Sequence, residues 1–526
     1  MKERFVILGN GIAGLSAARA VREQLPEAKI KIVAEEKELP YRRPLLSKTY
    51  LKSLKREDIQ IVSADWYERA DIRLVLGRRA VRIEAEEKRV HLSDGQVFPY
   101  DACIYALGAE PVRPPFYRVG GAAGADLYRA GGAAGADLCM AGGMTKADLC
   151  WDGVLTVRTM ADIRRLKKRL ILSRRAVVIG GGSIGLEIAW EIEQMGCRTV
   201  VLESAPWLMG RLLDPESAGV LARHIEKKGI LVYPGVQVES LTGERSVTGV
   251  RLADGRHIPA DLVVVCCGTR AVAGLAREAG IACGKGVLVD DFMETKKADI
   301  YGAGDCIQWR GAVAGRWSFA LASGRLAGYN AAVPREKRER LASAAYPLLL
   351  SGMGISLFAM GDVQAGEGTH RAPGAGGGGP FSEGPETDGV SRQTSGGPET
   401  DGVSRQTSGG PEADGVSRQT SAGPETDGVS RQTSAGPETD GVSRQTSGGP
   451  EADGSDRSAL EPPRFQVGRH EGEELHYEKY FYQDGRLTGA VLFGDLSRME
   501  AIRQMLLPEA LGQRREEGYG KKLGED

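Results

Sequence analysis

The sequence predicts an α/β protein: two units of parallel sheet, each built on a strand, a Gly-rich turn and a helix, with a small α+β domain and two low-complexity insertions. Three observations predict it. Phe5 to Leu8 is an apolar strand that enters Gly9-Asn10-Gly11-Ile12-Ala13-Gly14, continues as an Ala-rich helix to Gln24 and returns as a strand from Ile30 to Ala34. The same order recurs at Ala176 to Ile179, Gly180-Gly181-Gly182-Ser183-Ile184-Gly185, Leu186 to Met195 and Arg198 to Leu202. A third block reads as strands with one hairpin turn, followed by a helix from Arg498 to Leu507; its strands are Gly354 to Met360, Leu475 to Tyr482 and Leu487 to Phe493, with the turn at Asp484-Gly485. The first two are βαβ units of Rossmann type, each with a complete dinucleotide fingerprint.

In the first unit Gly9 permits the tight turn, Gly11 lets backbone approach a pyrophosphate, and Gly14 lets helix and strand pack closely. The helix N-terminus supplies oriented N–H groups and a positive dipole. Glu35 or Glu36 closes the second strand, about 20 residues on, where an acid accepts hydrogen bonds from an adenosine ribose. Next comes Tyr41-Arg42-Arg43-Pro44-Leu45-Leu46-Ser47-Lys48. Pro44 restricts Arg43 to an extended conformation and the following residues suit a helix start, so cations project at the crevice edge, placed to pair with phosphate or an electron-rich flavin.

Short strands follow at Leu74 to Leu76, Ala80 to Ile83 and Arg89 to Leu92, then a turn at Asp94-Gly95 and a strand from Tyr100 to Ala106 that runs into Gly108 and Pro111. Residues 117–150 repeat with an eleven-residue period (Gly-Gly-Ala-Ala-Gly-Ala-Asp-Leu at 120–127 and 131–138). Paired glycines in each unit oppose a helix, and the stretch reads as a flexible insertion. In the second fingerprint Glu203 stands 18 residues past Gly185, where a carboxylate favours a ribose 2′-hydroxyl and repels a 2′-phosphate; NADH is expected over NADPH. Residues 230–268 return to strands, ending in Leu262 to Val265 and Gly268. Ile300-Tyr301-Gly302-Ala303-Gly304-Asp305 is a strand that delivers a carboxylate on a Gly-rich turn, able to hydrogen-bond a polyol, and Trp317 to Ala332 is helical.

From Gly384 a thirteen-residue unit, Gly-Pro-Glu-Thr-Asp-Gly-Val-Ser-Arg-Gln-Thr-Ser-Gly/Ala, recurs five times. One Val per unit cannot offset a backbone ordering cost of roughly 1–2 kcal/mol per residue, and disorder is expected. The Arg-x-x-Ser pattern, as in Arg392 to Ser395, fits a phosphorylation site, but near-identical units point first to repeat expansion.

A length of 526 residues implies two to four domains, and a net charge of −1 argues against nucleic acid or anionic membrane as partners. The first strand follows Met1-Lys2-Glu3-Arg4 with no room for a signal peptide, and no apolar run nears spanning length; the expected location is cytoplasmic. The eight cysteines show neither CxxC nor CxxxxC spacing, so neither a metal site nor a disulfide framework is expected. Cys266-Cys267 reads as two small buried hydrophobes.

With these motifs in order, the chain resembles the two-dinucleotide-binding-domain flavoproteins, the pyridine nucleotide-disulfide oxidoreductase superfamily. The Tyr-x-Arg-Pro-x-Leu-Ser-Lys motif at 41–48 is similar to the ferredoxin reductase and apoptosis-inducing-factor branch. Tyr477 to Asp495 is similar to the closing domain of NADH:rubredoxin reductases and nitrite reductase flavin subunits. The resemblance implies FAD on Gly9, Gly11, Gly14, Glu35, Arg43, Pro44, Lys48, Gly108, Gly304 and Asp305, with Asp305 near the ribityl chain. It implies NADH on Gly180, Gly182, Gly185, Glu203 and Gly268. Lys48 and Glu187 would border flavin N5 as catalytic residues; the plainer readings are a phosphate contact and an ordinary helix residue. Lys48 stands where a related branch carries its redox cysteine, Leu107 replaces the usual Thr of Ala-Thr-Gly, Ser323 a common Gln, and Ala271 a common Pro.

The expected domains are 1–116 with 287–345 for FAD, 154–286 for NAD, and 346–370 with 463–526 as the α+β domain, around insertions at 117–153 and 371–462. The implied activity is an FAD-dependent NADH dehydrogenase that hands electrons to a small iron–sulfur or rubredoxin-like carrier or a reductase partner, with a homodimer possible in this family. The rivals are an NADH oxidase that reduces oxygen, and an FAD- and NADH-binding interaction protein without significant turnover.

Overall fold

The computed structural model describes residues 2–48, 51, 55–117, 152–342, 347–363, 468–470, 475–483 and 486–506. Both repeat insertions, the Asp484-Gly485 turn and the charged C-terminal tail lie outside the described residues.

The first sheet has the order Ile300–Gly302, Ala102–Tyr105, Arg4–Leu8, Lys29–Ala34, Ile72–Leu76, all parallel. Its central strand is buried on both faces, which is why Phe-Val-Ile-Leu is continuous rather than alternating. The fifth strand comes from residue 300, so this sheet closes only after the chain has built the second one. The second sheet repeats the arrangement: Leu231–Tyr233, Arg198–Leu202, Arg175–Ile179, Leu262–Val265, Val154–Thr156, again parallel.

Helix Ile12–Gln24 packs against helix Trp317–Ala332 at very short range. A Cβ on Gly324 would overlap the Ala13 carbonyl, and one on Gly328 the Ala17 carbonyl. Small residues at this crossing let the two backbones touch.

The third sheet is antiparallel, in the order Leu348–Gly352, Ile355–Gly361, Arg486–Phe493, His476–Gln483, Gly468–His470. Alternation sorts its two faces. Phe358, Met360 and Leu492 pack under helix Met499–Leu506. Leu357, Tyr477 and Phe493 enter the core that also holds Leu186, Met209 and Leu221 of the second unit and Tyr41 and Leu46 of the first.

Three expectations change. Arg43 is not extended: Arg43–Leu45 is a single 3₁₀ turn with Pro44 as its second residue, followed by a turn through Lys48 rather than a helix. Tyr41 and Leu46 on either side of the turn are buried against residues of the second unit. Cys267 is exposed, because Leu262–Val265 ends before it and the alternation of the strand no longer applies, while Cys266 is half-buried. The sequence reading also passed over helices Met160–Leu170 and Pro215–Lys227, although Thr159 with Asp162 forms a capping box and Asp214-Pro215 is an N-cap followed by Pro. Among the described residues no helix is long and apolar enough to cross a membrane.

Candidate active site

The two Gly-rich turns have one geometry. Gly9 and Gly180 have φ of +109° and +114°, and their N–H groups donate to Val33 O and Leu202 O, each at 2.7 Å. A Cβ on Gly14 would overlap the Gly9 carbonyl, and one on Gly185 the Gly180 carbonyl. At Gly11 and Gly182 nothing lies within 4 Å of where a Cβ would stand, so both turns present bare backbone to open space. Neither following helix has a capping side chain or an acid in its first turn. Four backbone N–H groups at each helix start are therefore available to an anion. Asn10 is buried, its Oδ1 accepts from Tyr67 Oη at 2.7 Å, and its Nδ2 has no acceptor among the described residues. Open turns, uncapped helices and this orphaned donor fit a dinucleotide phosphate at each turn.

Glu203 braces the second turn: its carboxylate accepts from Gly181 N at 2.6 Å and Ala205 N at 2.7 Å. Cys267 lies nearby, its Sγ 3.6 Å from Ile179 O. In the first unit Glu35 is exposed, whereas Glu36 accepts from Tyr41 Oη at 2.7 Å and Arg43 Nη2 at 2.8 Å. Arg43 also donates to Arg158 O at 2.6 Å.

Arg158 was not singled out from the sequence. It donates to Asp305 Oδ2 at 2.8 Å and Ala109 O at 3.0 Å, tying the start of the second unit to the first. The turn carrying Asp305 is held from below, because Gly304 N donates to Ser323 Oγ at 3.0 Å and Ser323 Oγ donates to Phe319 O at 2.7 Å. Gly108 and Gly268, both with positive φ, flank two short strands, Ala109–Pro111 and Thr269–Ala271, which pair antiparallel between the units.

Lys48 and Glu187 come together from different units, with Nζ and Oε1 3.7 Å apart. Ser47 Oγ donates to Glu187 Oε2 at 2.5 Å. Burial pushes the Glu187 carboxyl up to about 7, against the hydrogen bond from Ser47 and the charge of Lys48. Near neutrality this carboxyl exchanges a proton readily, beside a cation. Ser351, which the sequence reading did not name, accepts from Lys48 Nζ at 3.3 Å.

Two dinucleotide-binding units with a Lys–Glu pair where they meet define a nicotinamide-linked oxidoreductase. The chain belongs to the pyridine nucleotide-disulphide oxidoreductase family, whose profile matches residues 3–332. Members of this family use FAD and NAD(P)H, and this chain is one of its enzymes. It is 31% identical over 309 residues to the chlorobenzene dioxygenase ferredoxin reductase component of Cupriavidus sp. (strain PS12), covering 59% of this chain and 68% of that protein. It is 31% identical over 303 residues to the rubredoxin-NAD(+) reductase of Pseudomonas putida, covering 57% of this chain and 71% of that one. In fold it is similar to a covalent putidaredoxin reductase–putidaredoxin complex, with TM-score 0.66 and 20% identity over 96% of this chain and 93% of that one.

Proposed function

We propose that this chain is an NADH-dependent reductase that uses FAD to pass electrons from NADH to a small iron–sulfur or rubredoxin-like carrier. The observation that carries this reading is the pair of open, uncapped glycine turns in two matching units, with Lys48 and Glu187 meeting between them. FAD, when bound, supplies a group that takes an electron pair and releases it singly. The chain's part is positioning and electrostatics. Gly9, Gly11 and Gly14 receive the FAD pyrophosphate and Gly180, Gly182 and Gly185 that of NADH, with Glu203 excluding a 2′-phosphate. Arg43, Arg158 and Asp305 line the first crevice, and Lys48 and Glu187 are assigned to its reacting end.

Relatives named as a ferredoxin reductase component and a rubredoxin reductase favour a carrier over oxygen as acceptor. Lys48, not a thiol, stands beside Glu187, which supports electrons leaving without a cysteine relay. The free cysteines at 103, 197, 266, 267, 283 and 306 suit a reducing compartment, and the cytoplasm is the proposed location.

The test is anaerobic stopped-flow absorbance at the flavin band with NADH and NADPH, followed by steady-state turnover with a [2Fe–2S] ferredoxin, a rubredoxin or oxygen. Fast bleaching by NADH and turnover with a carrier are expected. Oxygen consumption that outpaces every carrier would favour the oxidase, and bound FAD that NADH does not reduce would leave the interaction-protein reading.

A further inference from the structure

The C-terminal domain takes no part in the reading above, yet its edge strand Leu348–Gly352 runs beside helix Ser183–Gln194, the helix that carries Glu187. Leu350 turns into the core at 1% exposure. Ser351, next along the strand, faces the other way, and its Oγ is 3.3 Å from Lys48 Nζ. We propose that Ser351 is a positioning residue for Lys48, which makes the C-terminal domain part of the site, held there by the ion pairs of Lys479 with Asp214 and Glu216 and by the contact of His224 with Met353. This rests on the reading of Lys48 and Glu187 as the pair at the reacting end of the FAD crevice.

A lysine side chain has four soft torsions, and one distant carboxylate does not choose among their rotamers. Lys48 is drawn from two directions: Glu187 Oε1 on the second unit attracts it as an ion pair at 3.7 Å, and Ser351 Oγ on the third accepts its hydrogen bond at 3.3 Å. Glu187 is fixed by Ser47, so the strand decides where the ammonium settles.

The sheet that carries this strand is tied to helix Pro215–Lys227 at two places, strand His476–Gln483 and the turn at Met353. Lys479 Nζ, with 7% side-chain exposure, donates to Asp214 Oδ2 at 2.7 Å and Glu216 Oε2 at 2.9 Å. Asp214 also caps the helix by accepting from Glu216 N and Ser217 N. Ser217 Oγ is 3.2 Å from Tyr477 Oη. At the far end of the helix, His224 Nε2 is 2.9 Å from the carbonyl of Met353, two residues from Ser351. Met353 sits at φ +59° in the tight turn after the edge strand, so this contact holds the turn that presents Ser351. Lys479 and Asp214 are both buried whereas Glu216 is 45% exposed, so removing Lys479 leaves Asp214 as the desolvated charge.

The test uses the full-length protein with FAD as purified, in the variants Ser351→Ala, Ser351→Thr, Lys479→Met and Lys48→Met. Two quantities are read: the rate constant of flavin reduction with the NADH dissociation constant, and the acylation rate of the Lys48 amine by mass spectrometry at fixed pH. Ser351→Ala is expected to slow reduction by about 3–10-fold at unchanged NADH affinity and to speed acylation of Lys48 severalfold, because the amine has lost an acceptor. Ser351→Thr keeps the hydroxyl and restores both. Lys479→Met shifts both readouts in the same direction as Ser351→Ala. If Lys48→Met slows reduction while Ser351→Ala matches wild type in both readouts, the inference fails and the reading of the pair stands. If Lys48→Met leaves reduction unchanged, that reading fails and takes the inference with it.

Discussion

Glu187 carries two opposed demands, burial that favours its neutral form and a lysine that favours its charge, and burial wins, with the carboxyl near pH 7. A carboxyl raised on folding contributes stability that is fully present below about pH 4.5, the unfolded value, and is lost as pH rises through about 7. Glu187→Gln removes this dependence: its melting temperature should gain on wild type between pH 5 and pH 8, measured by scanning calorimetry. The same variant should slow flavin reduction by NADH by about 10²-fold if the carboxyl acts at the reacting end. Glu203 is used differently. One of its oxygens accepts from Gly181 N of the turn and the other from Ala205 N of its own segment, so Glu203→Ala should weaken NADH binding by about tenfold and narrow the preference over NADPH, read by titration with each nucleotide. Fingerprint glycines and terminal acids are legible because spacing alone defines them. Arg158 and Ser351 were not, because their roles arise from contacts to Asp305 and Lys48, 147 and 303 residues away, and no local pattern encodes such a partner.

Several elements agree with the sequence to the residue, as at Arg198–Leu202 and Trp317–Ala332. Helix Pro215–Lys227 begins with Pro-Glu-Ser-Ala-Gly, which reads as loop until Asp214 is recognised as its cap. At Arg43–Leu45 the steric rule before Pro44 is only a preference, and the chain takes a 3₁₀ turn there. The crossing of helices Ile12–Gln24 and Trp317–Ala332 gives a sharp test. Gly324→Ala places a methyl group on the Ala13 carbonyl and should cost about 1–3 kcal/mol, seen as a lower denaturation midpoint with release of FAD. Ser323→Ala, which frees the Gly304 turn without a clash, should weaken FAD retention with a smaller loss of stability.

Across the whole molecule, the antiparallel sheet pairs Ile355–Gly361 directly with Arg486–Phe493, two strands that residues 371–462 separate in sequence. Loop closure grows only logarithmically, so replacing that segment with a Gly/Ser linker of about 15 residues should raise stability by roughly 1–2 kcal/mol. Flavin reduction by NADH should be unchanged, and a loss of turnover would assign the repeats a role. The parallel order of the two large sheets, strand for strand, also bears on inhibition. The two turns differ by less than 10° at their first glycine and share the same backbone donors. A compound that recognises only those donors, such as an adenylate mimic with a diphosphate, cannot tell one site from the other. Selectivity has to be sought at the middle position, where Asn10 offers an amide in the first turn and Gly181 lies bare against Leu208 and Glu203 in the second. A ligand with an acceptor aimed at the Asn10 amide would favour the first turn, because the second offers no such donor and Leu208 closes over its middle glycine.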